Sequence, residues 1–279
     1  MGQAAVDYAG DGGISPENFG VIAGLLREMT GISLNANKRQ MVAGRLARRV
    51  RLLGLDNFDA YVALLDSPAG AAEHRDMINA LTTNLTRFFR EPHHFTSLAS
   101  MVVAPLVRQA PRPRLRIWSA ACSSGEEAYS IAMVVHKFAR DAPGWDARIL
   151  ATDIDSSMID IATAGSYDSE RAALIPPHFA GLVAPPQDGR VTMPDVLKSY
   201  IAFKHLNLLA PWPMRGKFDA IFCRNVVIYF DKDVQRILFD RLADYLTPQG
   251  VLFIGHSESL MHVSTRFALA GTTTYRKQA

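Results

Sequence analysis

The residues of this 279-residue chain that could do chemistry gather where apolar runs end. The run Leu115-Arg-Ile-Trp118 is followed by Ser-Ala-Ala-Cys-Ser-Ser-Gly-Glu-Glu127. Ala120, Ala121, Ser123, Ser124 and Gly125 are small enough to let a ligand approach the backbone. The segment is neither a Gly-x-Gly-x-x-Gly turn nor a phosphate-binding loop, because no Gly-Lys-Ser/Thr follows it. Glu126 and Glu127, at the start of the next helix, would repel a pyrophosphate. They suit an ammonium, a sulfonium or ribose hydroxyls, and they are equally good first-turn helix residues. A second apolar run, Ala147–Thr152, ends in Asp153-Ile-Asp155. A carboxylate there, about 30 residues after the first turn, is where a Rossmann-like fold grips vicinal ribose hydroxyls. Asp155 or Ser156 reads as the cap of the following helix, so Asp153 is the expected ribose ligand. A glycine-poor acidic turn followed by this Asp points away from NAD and towards S-adenosylmethionine.

Such residues need a sheet to hold them. Strands are predicted at 115–118, 147–152, 218–223 and 251–255, with helices at 126–140, 156–165 and 232–246. Strands alternating with helices mean a parallel α/β sheet covered on both faces. Residues 166–203 break the rhythm with Pro176, Pro177, Pro185 and Pro186. They read as an inserted subdomain of about that span, with no clear paired hairpin, ending in the strand-like Tyr200–Phe203. Before residue 114 no strand pattern occurs. Ser15-Pro16-Glu17 is a helix start, and helices are expected near 16–29, 37–53, 57–66, 72–83 and 92–108. The chain thus divides into a mobile tail (1–13), an all-helical domain (14–90), a linking helix and Pro-rich linker (91–113) and an α/β domain (114–279).

Composition supports an ordinary globular protein: 48% hydrophobic and 20% charged residues argue against general disorder. No apolar run approaches the roughly 18 residues of a membrane span, and the N-terminus lacks a secretory signal pattern. Only Cys122 and Cys223 are present, which predicts no disulfide framework and a reducing cytoplasm. Neither has an activating His motif. His93 and His94 are adjacent, so on a helix they are expected to diverge rather than chelate together. His256 and Glu258 lack a third ligand, and no metal is expected. The net charge of +3 hides segregation, since residues 29–55 hold six Lys/Arg and no Asp/Glu. On a helix over 38–53, Val42, Leu46, Val50 and Leu53 form an apolar stripe. Lys38, Arg45, Arg48 and Arg49 gather beside it. Without aromatic interleaving or a helix-turn-helix signature, this basic face is not read as a nucleic-acid site.

Six segments resemble, in order and spacing, the CheR-type chemotaxis protein methyltransferases. They are Thr83–Phe95 (TNLTRFFREPHHF), Trp118–Ser130 (WSAACSSGEEAYS), Ala151–Asp155 (ATDID), Leu206–Leu209 (LNLL), Phe218–Asp231 (FDAIFCRNVVIYFD) and Gly255–Ser259 (GHSES). The resemblance runs from about residue 14 to the C-terminus. It implies a Rossmann-like class I methyltransferase domain with a small β-subdomain insert, preceded by a small all-α domain that binds receptors. The implied activity moves a methyl group from S-adenosylmethionine to glutamate carboxylates of chemoreceptors, leaving S-adenosylhomocysteine. Its implied cofactor contacts are Asn84, Thr86, Arg90, Glu126 or Glu127, Asp153, Asn207, Leu208, Arg224 and Asn225. Arg90 would pair with the methionyl carboxylate. Tyr229 would place the acceptor beside the methyl, and Arg45 would assist as a positive anchor. The implied partner is an acidic, Glu/Gln-rich receptor helical bundle met by Lys38, Arg48, Arg49 and Arg51. No membrane insertion is expected, and the chain is expected to be a monomer. The rival reading is a CheR-like sensing module that docks to receptors without methylating them.

Overall fold

The computed structural model describes residues 13–109, 112–139 and 144–278. The expected tail, apart from Gly13, lies outside these residues, as do residues 110 and 111 of the expected linker. The chain divides between Thr83 and Asn84 into two compact units.

The first unit is helical: α1 (Pro16–Thr30), α2 (Arg39–Leu52), α3 (Phe58–Leu65) and α4 (Ala71–Leu81). Ser15 caps α1 by accepting from the Asn18 N–H, Pro16 opens it, and Gly31 stops it at φ 74°. A left-handed backbone at that position suits glycine. The predicted stripe of α2 is buried at Val42, Leu46 and Val50, whereas Leu53 is exposed. The basic residues beside it do not share one fate. Arg49 is committed to α4, donating from Nε to Glu73 (2.9 Å) and from Nη2 to Asp76 (2.7 Å). Glu73 is buried and also accepts from the Tyr61 hydroxyl. Within the acid-free stretch, Arg49 is thus neutralised from another helix, which corrects the expectation that it is free for a partner. Lys38, Arg48 and Arg51 are exposed. Arg45 donates to the carbonyls of Leu81 (2.8 Å) and Thr82 (2.7 Å) and to the Thr83 hydroxyl. It satisfies the last carbonyls of α4, as cations at helix C-termini do. That use replaces the expected acceptor anchor.

The second unit begins with α5 (His93–Leu98) and α6 (Ala104–Gln109), joined by a π-helical turn at Ala99–Val103. It continues through β1 (Arg114–Ala120), α7 (Glu126–Ala139), β2 (Asp146–Asp153), α8 (Ser156–Ala164), β3 (Ser166–Asp168), α9 (Ser169–Ala172), α10 (Pro177–Ala180), β4 (Arg190–Thr192) and α11 (Asp195–Lys198). β5 (Ile201–His205), β6 (Phe218–Cys223), α12 (Lys232–Tyr245), β7 (Leu246–Phe253), β8 (Phe267–Gly271) and β9 (Thr274–Lys277) complete it. The seven-stranded sheet has the order β5-β2-β1-β6-β7-β9-β8. Its first five strands are parallel and β9 is antiparallel to β7. The C-terminal β8–β9 pair was not predicted: it alternates weakly, with four of five β8 residues exposed.

Two boundaries move. Phe88 and Phe89 are buried in the core of this unit, so the segment from Asn84 to Arg90 belongs with the α/β body and not with the helical domain. Burying each Phe favours that attachment by roughly 1.5–3 kcal/mol. The expected insert also shortens. Ile201–His205 is a strand of the main sheet paired with β2, while β3 and β4 pair antiparallel with Tyr167 opposite Val191. An antiparallel strand pair therefore exists here, its two strands separated in the chain by α9 and α10 and so not a simple hairpin. Three-residue strands are too short to show a period of two in sequence.

Candidate active site

Order in the sheet reverses between β1 and β6, and ligands of such sheets bind outside the strand carboxyl ends at that point. The register makes those ends level: Ala120 lies opposite both Thr152 and Cys223, Asp153 opposite His205, and Phe222 opposite Phe253. Residues 121–127, Asp153, Asn207, Arg224 and Gly255 consequently leave the sheet along one edge. Five of the eight non-glycine residues with left-handed backbone among the described residues lie in segments meeting here: Phe89, Glu91, Ala121, Ser123 and Asn225. Such strain persists where surrounding contacts over-determine it, as at functional sites.

The turn after β1 is held from three sides. Ala121 and Cys122 both donate to the Thr152 carbonyl (2.8 Å each). The Ser123 N–H donates to Asp153 Oδ2 (2.7 Å), and the Tyr167 hydroxyl donates to the Ser124 carbonyl (2.7 Å). At Gly125 (φ 95°) a Cβ would lie 2.7 Å from that of Ala162, so only glycine lets the turn close on α8. Asp153 is buried and accepts a second N–H from Asp155 (2.9 Å). Burial pushes its carboxyl up, opposed by these two N–H groups. A carboxylate has about four acceptor positions, and the N–H groups of Ser123, Asp155 and Ile154 do not fill them all. Asp155 caps α8, as expected, and also accepts from the Asn84 side chain (2.7 Å). The Ser123 hydroxyl donates to the Asn84 carbonyl (2.9 Å), which ties the 84–90 segment to this edge beside half-buried Thr86.

The two glutamates, indistinguishable in sequence, separate in space. Glu126 is fully buried, accepts from the Ser124 hydroxyl and pairs with Arg171 of α9 at 2.9 Å. Glu127 accepts from Ser119 (2.7 Å) and pairs with Arg224 (2.7 Å), both at strand ends of the ligand edge. Arg224 is buried, lies 3.4 Å from Glu91, and donates to the Arg90 carbonyl (2.6 Å). Its guanidinium thus braces the edge from within. The Arg90 side chain folds back onto the Leu85 carbonyl (2.7 Å), with further N–H donors to spare. The Asn207 side chain accepts from the Leu209 N–H (2.9 Å), and Leu208 is buried. Arg241 of α12, which sequence reasoning passed over, donates to the carbonyls of Leu208, Leu209 and Ala210 and stacks on Trp212 at 4.0 Å. Tyr229 lies half-buried on the 3-10 turn Val227–Tyr229.

His93 and His94 do not diverge as expected. Both Nε2 atoms approach the Thr273 hydroxyl, at 3.4 and 2.8 Å, and with Glu91 they bring ligand atoms within 4.8 Å of one another. Arg224 meets the same Glu91 carboxylate, so a cation there would face a fixed positive charge. Burial pushes Glu91 up, but Arg224 and hydrogen bonds from His256 outweigh it and hold the carboxyl at about 2. Burial, then Arg224 and His93, push His94 down to about 3. The unfolded chain takes up this proton near pH 6.5 and the folded chain only near 3. Stability therefore falls as pH drops through that window, by about 1.4 kcal/mol per unit from this group. Replacing His94 with Gln is expected to flatten the pH dependence of urea unfolding between pH 6 and 4 by that slope; parallel curves for the two proteins would refute it. Cys122 and Cys223 are free and buried, and burial pushes both thiols well up. Neither is a thiolate nucleophile.

The groups of this edge fit S-adenosylmethionine: carboxylates that can accept from hydroxyls and an ammonium, small turn residues, and no Lys or Arg in the turn to hold phosphate. The comparisons with known proteins agree. Residues 84–276 match the SAM-binding domain of CheR methyltransferase, and residues 17–82 match its all-alpha domain. A probable chemotaxis protein methyltransferase of Rhizobium etli is 44% identical over 252 residues, covering 88% of this chain and 94% of its own. Chemotaxis protein methyltransferase 2 of Pseudomonas aeruginosa is 43% identical over 266 residues, covering 93% and 92%. The chemotaxis protein methyltransferase of Escherichia coli is 42% identical over 271 residues, covering 94% and 91%. With an all-helical unit followed by this sheet and this ligand edge, the chain belongs to the CheR methyltransferases, S-adenosylmethionine-dependent enzymes of chemotaxis.

Proposed function

We propose that the methyl acceptors are glutamate side chains of chemoreceptors, giving glutamate methyl esters and S-adenosylhomocysteine. The observation that carries this reading is the position of Tyr229, four residues after Asn225 in the turn that leaves the ligand edge at Arg224. A glutamate carboxylate is already ionised near pH 7. It needs no general base, only alignment and the exclusion of water. The Tyr229 hydroxyl can donate to one carboxylate oxygen and leave the other free to attack. The bound sulfonium supplies the electrophilic methyl. Asp153 would hold the ribose, Asn207 and Leu208 would flank the adenine, and Asn84, Thr86, Arg90 and Asn225 would complete the cofactor contacts. Glu127, which pairs with Arg224, would be the glutamate that meets the cofactor, while Glu126 pairs with Arg171 of α9. Alignment of this kind supplies several kcal/mol of barrier reduction.

The exposed Lys38, Arg48 and Arg51 of the helical unit suit an acidic receptor bundle. No described helix is long and apolar enough to cross a membrane, and free, buried cysteines fit a cytoplasmic location. The test is transfer of radiolabelled methyl to receptor-containing membranes with base-labile release as methanol. Cofactor binding without incorporation into any receptor would sink the reading. Reversing Arg48 and Arg51 to Glu is expected to slow receptor methylation about tenfold at low salt, with the gap closing as salt rises. Cofactor affinity should be unchanged; an equal loss of both would overturn the role given to this face.

A further inference from the structure

The Gly255-His-Ser-Glu-Ser259 segment carries a buried acid that the methylation chemistry does not use. Glu258 sits in the turn after β7, 6% exposed. Its Oε1 accepts the N–H groups of Val226 and Val227 (3.0 Å each), and its Oε2 accepts those of Asn225 (3.0 Å) and Gly255. About four acceptor positions are what a carboxylate has, so none is left for a metal or a substrate. The two turns approach so closely that a Cβ on Gly255 would lie 2.3 Å from Asn225 Nδ2. Asn225 itself is held left-handed at φ 58°. From the opposite side, buried Gln235 of α12 donates its amide to the carbonyls of Val227 (2.8 Å) and Phe230 (3.0 Å). The backbone from Asn225 to Phe230 is thus gripped by its N–H groups at one end and its carbonyls at the other. Between Val227 and Phe230 this backbone carries the exposed Ile228 and the half-buried Tyr229.

We propose that Glu258 and Gln235 are positioning residues for methyl transfer, a pincer that sets where the Tyr229 hydroxyl meets the acceptor. This rests on the reading of Tyr229 given above. Charge-assisted bonds to fixed N–H groups are short and directional, so the pincer defines the turn more tightly than packing alone. Its effect falls more on turnover than on cofactor affinity, because the ribose and ammonium partners come from other strands and, of the cofactor contacts, only Asn225 lies in the gripped segment.

The test compares full-length Glu258→Gln, Gln235→Met, Tyr229→Phe and the two double variants that include Tyr229→Phe. Methyl transfer to receptor-containing membranes, binding of S-adenosylhomocysteine by calorimetry and amide hydrogen exchange are measured on each. Glu258→Gln turns two acceptor positions into donors facing N–H groups. It should lower kcat at least about tenfold, within the roughly hundredfold that a misplacement of about 1 Å can cost. The product's Kd should move less than about threefold, and the amides of residues 225–227 should exchange faster. Gln235→Met should repeat the pattern from the other side, so a folding failure of one variant leaves the other to decide. In the Tyr229→Phe background either change should add less than about twofold, because coupled residues are non-additive. Three results would overturn the proposal: independent multiplication of the defects, equal loss of kcat and affinity, or unchanged exchange at 225–227. An inert Tyr229→Phe, or a wild-type protein that methylates no receptor, would instead refute the reading of Tyr229 or of the acceptor. The exchange measurement would still judge the pincer.

Discussion

Replacing Asp153 with Ala is expected to weaken binding of S-adenosylmethionine and S-adenosylhomocysteine by roughly 100-fold or more. Two hydrogen bonds from ribose hydroxyls to a fixed carboxylate, at about 1.5–3 kcal/mol each, set the lower end, since 1.4 kcal/mol is tenfold. The loss is compounded locally. Without its carboxylate, the N–H groups of Ser123 and Asp155 lose their acceptor, and the turn after β1 keeps only its Ala121 and Cys122 bonds to the Thr152 carbonyl of β2. Calorimetry on the variant measures the affinity. Asp153→Asn separates the two contributions, because its amide fills the same space and keeps one acceptor oxygen. An intermediate affinity is expected for it. A Kd for Asp153→Ala within about threefold of wild type would show that the ribose is held elsewhere.

The largest effect on stability is expected from Arg224. Replacing it with Met leaves two carboxylates, buried Glu127 and partly buried Glu91, without the cation between them. Removing one partner of a buried pair costs about 3–5 kcal/mol, chiefly because the survivor remains buried and charged. The urea midpoint should fall accordingly. The double variant Arg224→Met with Glu127→Gln should recover part of the loss, since one stranded charge is gone. Strict additivity of the two changes would mean that the pair does not couple and that Arg224 stabilises through packing alone. Cofactor affinity should fall as well, because Arg224 also holds the Arg90 carbonyl and so the backbone of the 84–90 segment.

The pattern of alternating elements, the caps at Ser15 and Asp155, and the acids at strand ends were all legible along the chain, because each depends on neighbours within a few residues. The class of fold follows from them. Arg45 and Arg49 were not legible in the same way. Their expected roles rested on a helix read alone, while their partners, the carbonyls closing α4 and the acids Glu73 and Asp76, lie more than 20 residues away. The divergence expected of His93 and His94 failed for a related reason. Adjacent side chains leave a helix in different directions, yet rotamers can bring both rings back to one hydroxyl on the C-terminal hairpin.

By itself the sequence determined which residue types stand at the strand ends, where helices start and stop, and the family to which the chain belongs. These depend on local propensity and on the order of motifs. Only the tertiary structure decided that Glu127 pairs with Ser119 and Arg224 while Glu126 pairs with Arg171 of α9, that Arg224 is a buried brace, and that Glu258 spends its carboxylate on four backbone N–H groups. Each of these is a pairing across distant parts of the chain. In a desolvated site every charge must find a partner, and packing chooses which of the available partners it meets.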